Sequence, residues 1–111
     1  MKPGTGLFVL FLAAILEAGG DALVRSGLDA STALRRAALF AAGGVVLFAY
    51  GYAVNAPRWD FGKLLGIYVV FFFVVAQAIS WAAFGQKPSL PILVGGAFIV
   101  TGGLVISLWH P

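Results

Sequence analysis

The residue best placed to do chemistry is Glu17, a carboxylate inside the apolar run LFVLFLAAILEAGGDALV. A charged group costs several kcal/mol in hydrocarbon, so ionisable residues there usually mark an ion, proton or substrate path. Desolvation penalises the charged form, which makes Glu17 a candidate to take up and release a proton. The alternative is a structural polar contact between helices. A glutamine would supply that contact without the charge. Asp21 follows at i+4 and shares a helical face with Glu17. Arg25 comes a further four residues on, placed to pair with Asp21 and hold it ionised. Glu17 is then the group of the two that exchanges protons. An interfacial Asp21–Arg25 pair with no part in transport is the competing reading.

Aromatic residues are the natural companions of such a carboxylate, because ring faces attract organic cations. Tyr50, Tyr52 and Tyr68 are candidates for that wall, while Trp59, Trp81 and Trp109 fall near span ends and fit an interfacial belt. Gln77 and Ser80 are candidates for polar contacts between helices. No phosphate-binding loop, nucleophile triad or metal-ligand cluster stands out, and an enzyme is not expected. The chain has no cysteine and a single histidine, His110, too isolated for a His cluster, so neither a metal nor a cofactor is expected.

These residues must be positioned by elements that suit lipid. Of 111 residues, 61% are hydrophobic and 10% charged, against about 25% charged in ordinary soluble domains. Mean hydropathy is +1.01. That excludes an ordinary soluble enzyme, a nucleic-acid module and a disordered tail. The net charge of +3 comes from basic residues at the ends of apolar runs, which reads as interface anchoring and not as nucleic-acid binding.

Four apolar segments fill the chain, at about residues 3–24, 37–57, 64–86 and 88–109. Each meets the ~20 residues that a spanning helix needs, and none alternates as a membrane strand would. The expected fold is therefore all-α: one domain of four transmembrane helices with short loops. Lys2 before an apolar run resembles a signal peptide, but Glu17 and Asp21 fall where cleavage would occur, so the first segment is expected to remain as a span. Pro91 is expected in the first turn of the fourth helix.

Short connections make neighbouring helices antiparallel. One side of the bilayer then carries Lys2, Arg58 and Lys63, and the other Arg25, Arg35, Arg36 and Lys87. Three against four is almost no bias, so insertion in both orientations is expected. Gly95 and Gly102, seven residues apart, share a face of the fourth helix, and with Gly96 and Gly103 form a small-residue stripe suited to a helix–helix dimer contact. Packing within one subunit is the alternative. Four helices alone do not enclose a pathway with two walls, which also points to a homodimer.

Taken together, Ala13-x-x-x-Glu17 with Gly20 and Arg25, the segment Ser80-Trp81-Ala82-Ala83-Phe84-Gly85-Gln86 followed by Leu90-Pro91, and Gly95 with Gly102 resemble the small multidrug resistance family of the drug/metabolite transporter superfamily. Tyr68 stands about where that family has a tryptophan. Val69-Val70-Phe71-Phe72-Phe73 follows it in place of small residues, and Asp21 replaces a small polar one.

The resemblance implies an antiparallel homodimer in a bacterial inner membrane that exports small organic cations in exchange for protons. It implies a shared site at Glu17 with Tyr68 beside it, to which the helical spacing adds Asp21. Ala13, Gly20, Arg25 and Gln77 would support the pocket, and Gly95 and Gly102 would form the dimer contact. The expected partners are cations, protons, lipid and a second copy. A non-transporting membrane subunit, or a lipid-carrier flippase component of the same fold, is the alternative.

Overall fold

In the computed structural model, residues 2–109 are described, and they form four helices joined by short turns. His110 lies outside the described residues. Helix α1 spans Pro3–Leu28, α2 Ala33–Val54, α3 Phe61–Phe84 and α4 Leu90–Leu108. Among the described residues there is no strand. All four helices are long and apolar enough to cross a membrane. Proline opens α1 and also falls in the first turn of α4, as Pro91, where an absent N–H leaves nothing unsatisfied.

The helix ends differ from the hydropathy reading. Helix α1 continues through Arg25 to Leu28, beyond the expected stop near residue 24. Arg36, in the first turn of α2, explains why. Its Nε donates to the carbonyl oxygen of Gly27 at 3.2 Å, and a terminal guanidinium nitrogen donates to those of Leu28 and Ala30 at 3.5 and 3.2 Å. An arginine from the next helix thus satisfies the last carbonyls of α1. Helix α2 starts at Ala33, earlier than expected, because Thr32 caps it by accepting from the N–H of Arg35 at 3.2 Å. Helix α3 starts at Phe61 and stops at Phe84, where Gly85 takes φ +65, a left-handed value that favours glycine.

Packing follows the order α2–α1–α3–α4. Helix α1 contacts α2 and α3, and α4 has its only substantial helix contact with α3. The result is a slab with extents of 54 × 34 × 18 Å. The α1–α2 crossing is the closest. A Cβ on Gly43 would sit 2.7 Å from Val24 Cγ2 and 3.1 Å from the carbonyl oxygen of Gly20. Only glycine permits that approach, the device by which membrane helices pack.

The core is small and runs along α1 and α3, with Leu10, Ala13, Ala14, Leu64, Ile67 and Tyr68 buried. Large apolar side chains such as Phe8, Phe48, Phe98 and Leu108 point outward. In water such a surface would drive association; in lipid it is the ordinary outer face of a bundle.

Candidate functional site

Glu17 lies about midway along α1, and its partner comes from α3. The Tyr68 hydroxyl donates to Glu17 Oε1 at 2.8 Å. Tyr68 is buried, and Glu17 is half-buried beside it. The small side chains of Ala13, Ala14 and Ala18, all buried, let α3 come close to α1 at this level.

Tyr68 belongs to an aromatic row. Its ring centroid is 5.7 Å from that of Tyr50 on α2 and 6.2 Å from that of Phe72 one turn along α3. Phe11 and Phe71 form an edge-to-face pair between α1 and α3 at 6.5 Å, on the other flank of α3. A carboxylate flanked by ring faces can accept either a proton or a cation with an apolar body.

Beyond Phe72 the seam opens into a cavity of about 210 Å³. From α1, Asp21 and Arg25 line it; from α3 and its end, Ser80, Phe84 and Gln86. The Arg25 guanidinium carbon lies 5.2 Å from the Phe84 ring centroid. The Ser80 hydroxyl donates to Gln86 Oε1 at 3.2 Å and closes the end of α3. Lys87 lies over Trp81, 5.7 Å from its ring. Phe72 borders both this cavity and the Tyr68 ring, so Glu17 and Asp21 sit along one continuous seam.

The structure sorts the remaining expected site residues. Ala13 is fully buried in the α1–α3 core. Gly20 serves the α1–α2 crossing, where a Cβ would meet Leu47 at 2.7 Å and the Gly43 carbonyl oxygen at 3.3 Å. Gln77 is half-buried on α3 and does not line the cavity. Tyr52 is 79% exposed and stands apart from the aromatic row.

The four-glycine stripe on α4 divides in two. A Cβ on Gly96 would meet the Phe73 ring, and one on Gly103 would clash with Val70, so these two pack against α3. Gly95 and Gly102 have open space beside them.

Phe72 and Phe84 are not among the residues that the sequence singles out for the site. Phe72 was reachable, because it stands at i+4 from Tyr68. Phe84 was not, since its place over Arg25 depends on the register between α1 and α3. Compared with protein-family models, curated proteins and solved structures, the chain finds no match.

Proposed function

We propose that the chain is an integral protein of a bacterial inner membrane, working as an antiparallel homodimer that exchanges protons for small organic cations at Glu17. The observation that carries the reading is the bond from Tyr68 to Glu17, 2.8 Å long, inside two helices apolar enough to cross a membrane. A carboxylate at such a depth needs a compensating charge or proton. A cation supplies the first, and its departure calls for the second. Competition of the two for one carboxylate couples their opposite flows. Tyr50, Tyr68 and Phe72 give the cation its aromatic wall, and the seam past Asp21 gives it a route toward the end of the bundle. Helix α4, which substantially contacts only α3, is left to hold the second copy.

The test is uptake of a panel of organic cations into proteoliposomes, driven by a pH gradient. Wild type should accumulate at least one cation. Glu17→Gln keeps the shape and hydrogen bonding but cannot titrate, so it should abolish coupled uptake. Asp21→Asn should be milder, because Asp21 only lines the seam whereas Glu17 takes the Tyr68 bond. Proton release on cation binding in detergent should vanish in Glu17→Gln. If the wild type moves none of the cations, or Glu17→Gln moves them as well as wild type does, the antiporter reading fails.

One observation favours a second reading. Helix α3 runs unbroken through Val69–Phe73, with large side chains and no kink-forming residue between them. An unkinked α3 suits a small membrane subunit that stiffens a larger partner without transporting anything itself. In that case Glu17→Gln would weaken assembly and leave every uptake assay unchanged.

A further inference from the structure

A second groove lies on the opposite flank of α3. Because α1 and α4 both pack on α3 and not substantially on each other, a channel runs between them. Its deeper part, about 220 Å³, is apolar and includes Leu7, Val70, Phe71, Val100 and Leu104. Its outer part, about 370 Å³, includes Pro3, Trp59 and Lys63. Leu7, Ile67 and Ser107 line both parts, so the two are one groove. From Ser107 to Val100 the shaft runs about 10 Å along α4.

The wall and the mouth have the chemistry of a phospholipid in order of depth. The shaft is hydrocarbon. The mouth carries an exposed lysine, a half-buried tryptophan and a serine. Trp59 is held in place by lying across the backbone of Gly6, whose missing side chain makes room for its ring. Among the described residues, the charged side chains at this end are Lys2, Arg58, Lys63 and Asp60. The balance is positive.

We propose that this groove binds an anionic phospholipid, with the headgroup phosphate at Lys63 and one acyl chain laid between α1 and α4. The inference rests on the helices standing in a bilayer and not on the transport reading. A second copy of the chain is the competing occupant, and the helical geometry disfavours it. With about 100° per residue, Val100, Leu104 and Ser107 fall on one side of the line through Gly96 and Gly103 that faces α3. Gly95 and Gly102, the open small-residue face, fall on the other. A partner seated on Gly95 and Gly102 leaves the groove free.

The test uses brominated lipids, which quench tryptophan at short range. Two single-tryptophan proteins are needed. One keeps Trp59 through Trp81→Phe and Trp109→Phe; the other keeps Trp109 through Trp59→Phe and Trp81→Phe. Each is reconstituted as the full chain into phosphatidylcholine vesicles containing either brominated phosphatidylglycerol or brominated phosphatidylcholine.

Trp59 should be quenched at about fivefold lower mole fraction of the anionic lipid, the size of effect one lysine at a membrane surface supplies. Trp109, exposed and two residues past Ser107, should show no such preference. Lys63→Gln should bring the Trp59 ratio to about one, and Lys63→Arg should keep it. Equal quenching of Trp59 by both lipids, or a preference that survives Lys63→Gln, would overturn the proposal. Trp59 shielded from both lipids while Trp109 is quenched would place a second copy in the groove instead. If neither tryptophan is quenched, the chain is not in the bilayer, and the membrane reading falls with the proposal.

Discussion

Tyr68 and Glu17 are 51 positions apart in the chain, yet the hydroxyl of one donates to the carboxylate of the other at 2.8 Å. The contact sets the register of α3 against α1 at the level where the charge sits. It also gives Glu17 a fixed donor, so the carboxylate is aimed before any ligand arrives.

Tyr68→Phe removes that donor and little else, since the ring still packs against Tyr50 and Phe72. Hydrogen bonds to charged groups contribute about 1.5–3 kcal/mol. Cation affinity should therefore fall by up to roughly tenfold at fixed pH, and thermal stability should fall as well, since the bond is already made in the ligand-free chain. Tyr50→Phe is the matched control and should stay close to wild type. Equilibrium binding of a transported cation to the two variants checks this. Equal affinities would show that the Tyr68 hydroxyl does not organise the site.

The α1–α2 crossing makes a sharper claim about neighbouring glycines. Gly43 faces Val24 and the backbone of Gly20, whereas Gly44 has nothing near its absent Cβ. Gly43→Ala should force the helices apart and cost about 1–3 kcal/mol, as overpacking does. Gly44→Ala should be neutral or stabilising by about 0.5–1 kcal/mol, because alanine is the better helix former. Thermal unfolding in detergent, followed by circular dichroism, reads both. Equal behaviour of the two substitutions would mean the crossing is looser than these distances.

Much of this architecture was legible in the residues. Four spans follow from hydropathy because lipid demands a continuous apolar run, and the face shared by Glu17 and Asp21 follows from helical spacing. The helix ends were less legible, because hydropathy is blind to caps. Nothing near Gly27 announces that Arg36, nine residues on, will hold its carbonyl. The pairing of Glu17 with Tyr68 was also out of reach, since it depends on how α1 slides against α3. The α4 glycines show the limit most plainly. Gly95 with Gly102 and Gly96 with Gly103 have the same seven-residue spacing, so periodicity could not say which pair faces α3.

Orientation in the bilayer is a separate question with a simple handle. Three basic residues stand on one side and four on the other, and Arg36 already spends its guanidinium on carbonyls of α1. The chain should insert both ways round. Two lysines added to the 55–60 loop should bias it, because flanking positive charge sets topology. Accessibility labelling of single cysteines introduced at each terminus would show two populations before the change and one after it. A single orientation in the unmodified chain would refute the balance argument.

The last prediction separates folding from association on α4. Gly103 packs against Val70, and any side chain there must push α4 away from α3, its only substantial helix neighbour. Gly103→Leu should lower thermal stability and expose the groove floor whether or not a second copy is present. Gly102 is the adjacent residue, but its open side faces away from α3. Gly102→Leu should leave the single chain's stability nearly unchanged, since among the described residues a Cβ there has open space beside it. If Gly95 and Gly102 form the contact between two copies, that leucine removes the close backbone approach on which small-residue interfaces depend. Cross-linking and light scattering in detergent should then report loss of the dimer for Gly102→Leu, and more completely for the double substitution with Gly95→Leu. A dimer that survives the double substitution would move the interface off this face of α4, to another part of the exposed apolar surface.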